Sequence, residues 1–313
     1  MESPNVLTFS PDGSRIFASG FQTDRMIHIF DTAVPGRDAT VLRLGKTRRS
    51  KDGQKGIVSD LSFPSGNSLF GNNKVFAVGT YSPGSIYIYD DRKSSGDPAG
   101  TVLHGGMCVV GHGKSFTRKK RRFVDISNDN DGDDSHDEEQ NIFSMAKVNW
   151  YQSRARGGVT QLQWSTGSDF FLYSSSRRSD AILAWDMRVL SGSDSHPVRG
   201  IMSFPRESDT NQRLEFDLNE NGTRLYASSQ DKKMKIYDAQ KGTLITCING
   251  FDDVVNGVSY KRDATGKEYI AAAVGARRFN HDYSEEEEDN DIRQQADDSI
   301  NKIVPGSLSL YQL

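Results

Sequence analysis

Five times in this 313-residue chain a short run of alternating apolar residues closes on an aromatic side chain, and four of the five continue into Asp. The closings are Ile27–Asp31, Ile86–Asp90, Ile182–Asp186, Lys235–Asp238 and Leu308–Tyr311. A second apolar run precedes each: Arg15–Ser19, Val75–Thr80, Phe170–Ser174, Arg224–Ser228 and Tyr269–Val274. A third lies before that: Val6–Ser10, Ile57–Phe63, Val159–Trp164, Leu214–Leu218 and Val255–Tyr260. A period of two sends successive side chains to opposite faces, which is the pattern of a strand. No long stretch repeats apolar residues at i, i+3, i+4 and i+7, so a helical fold is excluded.

The first and second runs of a unit are joined by turn-forming residues, Ser10-Pro11-Asp12-Gly13 and Asn219-Glu220-Asn221-Gly222. These supply the positive-φ position that a tight turn needs. A fourth run follows most units: Thr40–Leu44, Thr101–Val110, Val198–Phe204 and Thr243–Ile248. Four antiparallel strands per unit make a blade, and blades repeated radially make a β-propeller. The Trp185-Asp186 closing is the WD40 signature, and the Phe-Asp and Tyr-Asp closings are its degenerate forms. Asp24, Asp180 and Asp231 precede three closing Asp residues and are expected to hydrogen-bond the turn between second and third strands. The expected fold is all-β: a WD40-type β-propeller of about five four-stranded blades in a single domain, residues 1–313.

Two segments cannot build blades. Residues 112–149 and 280–303 are rich in charge and poor in apolar residues, so both are expected to be disordered insertions. They also hide the charge balance. Residues 125–139 hold eight acidic groups and residues 282–291 hold seven. Removing these 15 negative charges turns the −3 of the whole chain into +12. Six of the positive charges lie between Lys114 and Arg122, which leaves a modest +6 elsewhere.

Composition narrows the function classes. No stretch approaches the roughly 18 apolar residues of a membrane helix. Met1–Phe9 lacks the basic and then apolar pattern of a signal peptide. Cys108 and Cys247 lie far apart without metal-ligand spacing, so an intracellular, reducing compartment is expected. The six His residues (28, 104, 112, 136, 196 and 281) offer no i, i+4 metal pair. There is no G-x-S-x-G nucleophile elbow, and Gly113-Lys114-Ser115 lacks the upstream Gly of a phosphate loop. The chain is read as non-catalytic, with no catalytic residue, metal, cofactor or small-molecule substrate.

Basic residues at strand ends are the better lead. Lys46, Arg48, Arg49, Lys51 and Lys55 precede the first strand of the second unit. Arg154 and Arg156 precede that strand in the third unit, and Arg206 and Arg213 in the fourth. Equivalent places in successive blades share one face, where a ring of cations would track a phosphate backbone or an acidic protein. Lys46, Arg48, Arg49, Lys55, Arg154, Arg156 and Arg213 are therefore the candidate RNA-binding residues. Arg177, Arg178, Arg277 and Arg278 follow second strands and are expected on the opposite rim or between blades. Arg118-Lys119-Lys120-Arg121-Arg122 reads as a nuclear localisation signal, with an RNA-contacting tract as the alternative. Phe30, Tyr89, Trp185, Tyr237 and Tyr311 occupy the blade-closing position and are expected in the core rather than as stacking platforms.

One set of segments is more specific than any general propeller pattern. It comprises Phe9–Ser14, Pro35–Asp38, Gly53–Ser59, Gly157–Thr160, Arg178–Arg188, Thr210–Leu218 and Asn256–Ser259. In order and sequence these resemble the WD40 portion of the telomerase Cajal body protein family and its fungal splicing-associated relatives. Thr210-Asn211-Gln212-Arg213 and Asn256-Gly257-Val258-Ser259 carry most of that specificity. The resemblance implies a nuclear scaffold that binds small nuclear or Cajal-body RNA, or its ribonucleoprotein, in splicing or telomerase assembly. Its implied partners are that RNA and ribonucleoprotein proteins, with no membrane. The alternative is a pure protein–protein scaffold that never touches RNA. Family members carry further repeats before the segment matching Val6–Asp31, and the last unit here lacks an outer strand. The expectation is thus an N-terminally truncated chain and an incomplete ring.

Overall fold

The computed structural model describes residues 3–21, 26–34, 36, 38–44, 56–64, 74–81, 86–90, 158–168, 170–187, 200–276 and 307–312. They fall into two compact units, Met1–Asn211 and Gln212–Leu313.

The first unit holds three antiparallel sheets. The first is four-stranded, in the order β1 (Val6–Phe9), β2 (Arg15–Ser19), β3 (Met26–Asp31) and β4 (Thr40–Arg43). The second has three described strands, β5 (Val58–Ser62), β6 (Val75–Thr80) and β7 (Ile86–Asp90). The third is four-stranded: β8 (Val159–Trp164), β9 (Phe171–Ser176), β10 (Ala181–Asp186) and β11 (Gly200–Pro205). In the second unit, β12 (Phe216–Leu218), β13 (Arg224–Ser228), β14 (Met234–Asp238) and β15 (Leu244–Ile248) form one sheet, and β16 (Val255–Arg262), β17 (Glu268–Val274) and β18 (Ser307–Gln312) another. Every pairing is between sequence neighbours, as the repeat pattern requires. The expected strand at Thr101–Val110 and both insertions lie outside the described residues.

The turns form for local reasons. Gly13 donates its amide to the Ser10 carbonyl at 2.8 Å with φ +70°, and Gly222 donates to the Asn219 carbonyl at 2.9 Å with φ +62°. Both first residues are buried and fold their side chains back over the turn. The Ser10 hydroxyl accepts from the Arg15 amide at 3.0 Å, and Asn219 Oδ1 accepts from the amides of Thr223 and Arg224 at 2.8 and 2.9 Å. Asp263 does the same work before the β17 strand, accepting from the Lys267 amide at 2.9 Å.

Burial explains why β6 and β7 are apolar along most of their length. Phe76, Val78, Tyr87 and Tyr89 cluster with Phe17, Ile27 and Val58 on one side. Val75, Ala77, Ile86 and Ile88 cluster with Val159, Leu172, Leu183 and Trp185 on the other. A sheet sandwiched between two others loses the polar face that a half-exposed strand keeps. Each Val, Leu, Ile or Phe among them contributes about 1.5–3 kcal/mol through apolar burial. In the second unit the two sheets meet through Tyr226, Ile236, Val258, Tyr260 and Ile270, with the rings of Tyr226 and Tyr260 stacked at 5.5 Å.

Of the five closing aromatics, Tyr89, Trp185 and Tyr237 are buried. Phe30 and Tyr311 are only half-buried, which corrects the expectation that all five lie in the core. Tyr311 still packs edge-on against Phe251 at 5.7 Å. Asp231 also departs from expectation. Its carboxylate faces the ammonium groups of Lys235 and Lys233 at 3.7 and 3.8 Å, and its buried Oδ1 makes no hydrogen bond to the turn. Asp24 lies outside the described residues.

Candidate nucleic-acid interface

The antiparallel register decides which residues share the edge where a first strand begins. Val159, at the start of β8, pairs with Ser176, at the end of β9, and the Arg177 amide donates to the Gly158 carbonyl at 2.9 Å. The turn from β9 to β10 therefore sits on the same edge as the start of β8. Arg177 and Arg178 lie on that leading edge rather than on the opposite rim, because an antiparallel partner ends where its neighbour starts, and Arg177 reaches between the second and third sheets, as the other half of the expectation had it. Arg277 and Arg278 lie outside the described residues.

In the first unit this edge is continuous. A Cβ on Gly20, after β2, would approach the Val58 carbonyl at the start of β5 to 2.6 Å. The Tyr81 amide, after β6, donates to the Ile57 carbonyl at 3.0 Å. A Cβ on Gly158 would come within 2.1 Å of the Tyr81 carbonyl oxygen. Glycine is required there because two backbones touch. The Arg177 guanidinium then lies 4.7 Å from the centre of the Tyr81 ring, a cation–π arrangement. Arg178 has φ +51°, and its amide donates to the Thr210 carbonyl at 3.3 Å. Exposed Asp180, Glu207 and Asp209 share this edge, so its cations are offset by acids.

Arg206 does not belong to the surface set. It is 2% exposed, and its Nη2 donates to the Ser175 hydroxyl at 2.5 Å. Ser175 also shares a 3.1 Å hydrogen bond with the Thr160 hydroxyl. A buried guanidinium held in a hydroxyl network serves the fold, since exposing it to a ligand would strip that network.

In the second unit the leading edge brings Glu215 against the Asn256–Ser259 segment. The Glu215 amide donates to the Asn256 carbonyl at 2.8 Å, and Ser228 donates its amide to the Glu215 carbonyl at 3.1 Å. Asn256 Nδ2 donates to the Gly275 carbonyl at 2.9 Å. Gly257 fits beside Ala273, where a Cβ would meet the alanine methyl at 3.2 Å. Exposed Arg213 sits beside this junction with its Nε 3.2 Å from Glu215 Oε1. An ion pair between half-exposed groups is worth only about 0.2–1 kcal/mol, so it does not commit the guanidinium. Of the candidate RNA-binding residues, Arg213 alone is among the described ones. Lys46, Arg48, Arg49, Lys55, Arg154 and Arg156, and the basic run Arg118 to Arg122, lie outside them.

Telomerase Cajal body protein 1 of Rattus norvegicus is 27% identical over 288 residues, 89% of this chain. The chain is similar to telomerase Cajal body protein 1. The Homo sapiens protein is also 27% identical, over 286 residues and 89% of the chain. The Drosophila melanogaster homolog is 29% identical over 106 residues, covering 33% of the chain and 18% of that protein. The chain spans about two fifths of the length of the curated relatives it matches, 40% of the rat protein and 38% of the human one. No protein-family model matches. Among solved structures, a chain in the crystal structure of the mitotic checkpoint complex superposes with TM-score 0.51 at 12% identity, covering 87% of this chain and 62% of that one. The fold is all-β, a WD40-type β-propeller built from these antiparallel sheets, three of them four-stranded and two with three described strands.

Proposed function

We propose that the chain is a non-catalytic nuclear scaffold that binds a small nuclear or Cajal-body RNA, or its ribonucleoprotein, in telomerase or splicing-particle assembly. The observation that carries this reading is the similarity to telomerase Cajal body protein 1 over 89% of the chain. The meeting of Glu215 with Asn256 adds to it, because it joins two of the segments that carry the resemblance, Thr210–Leu218 and Asn256–Ser259. Recognition is by shape and charge. Arg213, with Lys46, Arg48, Arg49, Lys55, Arg154 and Arg156, neutralises backbone phosphates, while protein partners use other surfaces. Phosphate contacts set affinity and position without reading base identity. Arg118 to Arg122 act as the nuclear import signal.

The test is crosslinking and recovery of RNA from the complete protein, comparing wild type with the Arg48→Glu, Arg49→Glu, Arg213→Glu triple variant. Recovery is expected to collapse. The slope of log affinity against log salt should flatten by about 2, at roughly 0.7 per lost contact to a single strand. Unchanged recovery in a folded triple variant overturns the RNA reading and leaves a protein–protein scaffold.

A further inference from the structure

Among the described residues, nothing pairs with the outer edge of the fourth sheet. β15 reads Leu-Ile-Thr-Cys-Ile, without charge or proline. One of its sides pairs with β14, and no other described strand pairs with the second. The register slips between Ile236 and Tyr237, so Ile245 has no cross-strand partner. Consecutive side chains then both reach solvent: Leu244 is 52% and Ile245 54% exposed. Sheet edges are ordinarily blunted by charge, proline or a twist away from neighbours, and an apolar edge left open is a template for another strand. By comparison, β11 closes on Pro205 and β4 on Arg43.

The charges flanking β15 select the occupant. Lys241 precedes the strand, with 76% of its side chain exposed and only a loose 3.8 Å approach to Asp238. Asp252 follows the strand and is exposed, with Asp253 beside it. A basic group before an apolar strand and acidic groups after it are complementary to the same strand running the other way. A two-fold axis at Thr246 pairs Leu244 of one copy with Ile248 of the other and brings the Lys241 turn of each copy to the Asp252 end of its partner, twice over. We propose that a second copy of this chain occupies the edge, through antiparallel β15–β15 pairing about a two-fold axis. One self-complementary patch on each copy is enough for a closed dimer. Five residues span only about 17 Å, well short of a standard interface, so the dimer exchanges with monomer as concentration changes.

The full chain is examined by light scattering across a concentration series, with thermal melts to certify folding. Wild type is expected to pass from monomer to dimer, and Ile245→Lys, at an already exposed position, to raise the dissociation constant about tenfold or more. Lys241→Glu and Asp252→Lys should each weaken the dimer, and the double swap should restore it. With Cys108→Ser leaving Cys247 as the sole thiol, a short bismaleimide should link copies in a manner that Ile245→Lys abolishes. A wild type that stays monomeric overturns the proposal, including the case where another protein's strand takes the edge. So does a dimer indifferent to both charge variants, or one lost on Leu308→Lys at β18 while Ile245→Lys leaves it intact.

Discussion

Asp217 on β12 reaches across to the next sheet, its Oδ2 accepting from the Tyr260 amide on β16 at 2.8 Å. In the first unit Asp60 on β5 does the same for the Leu162 amide on β8, at 2.5 Å. Each carboxylate satisfies a first-strand amide of the following sheet and so couples neighbouring sheets through their innermost strands. A hydrogen bond to an ionised acceptor is stronger than a neutral one, and its loss leaves the partner amide unsatisfied. Asp217→Ala and Asp60→Ala are each expected to cost about 1.5–3 kcal/mol in chemical denaturation. A loss under about 0.5 kcal/mol at both sites would rule out this coupling.

Trp185 is buried, and its Nε1 donates to the Ser174 hydroxyl at 2.8 Å. Trp185→Phe keeps most of the apolar volume but removes the donor, with an expected cost of about 1–3 kcal/mol. Trp185→Ala also opens a cavity and should cost about 3–5 kcal/mol. Equal losses in the two variants, read from denaturant midpoints, would show that the hydrogen bond rather than the packing sets the stability here.

Two glycines should respond differently to the same methyl group. At Gly158 it would collide with the Tyr81 backbone, whose shift would also disturb the ring beneath Arg177. Gly158→Ala is therefore expected to cost at least about 1–3 kcal/mol, as overpacking does. At Gly13 the space is open and only the positive φ penalises a side chain, so Gly13→Ala should cost about 1 kcal/mol. Thermal melts of the pair decide the ranking, and the reverse order would contradict the close approach at Gly158.

Burial pushes the Tyr173 phenol up from 10.0 to about 12. The native state resists ionisation that the unfolded chain accepts at its ordinary value. The contribution of the neutral phenol is thus fully present below pH 10 and is lost between about pH 10 and pH 12. Tyrosinate absorbance against pH, followed beside unfolding, should show this phenol titrating late. Tyr173→Phe should lessen the alkaline decline in stability, and an identical decline would mean that Tyr173 does not contribute to it.

The aromatic-Asp closings, the turns at Ser10 and Asn219, and the period-two runs were enough to place the strands and their pairing order. Those signals are local: alternation and turn geometry act between residues a few positions apart. The likeness that the comparison with telomerase Cajal body protein 1 bears out came from more specific segments, Thr210–Arg213 and Asn256–Ser259 above all. Arg177, Arg178 and Arg206 were not legible in the same way. Their placement follows from antiparallel direction and from which hydroxyls lie within reach, Ser175 above all. Tyr81 beneath Arg177 was missed for that reason, although the Gly157-Gly158 doublet was a sign of close backbone approach. The sequence by itself determined which segments become strands and which neighbours they pair with. Only tertiary packing settled that Arg206 is buried while Arg213 is exposed, because burial depends on neighbours brought in from distant parts of the chain.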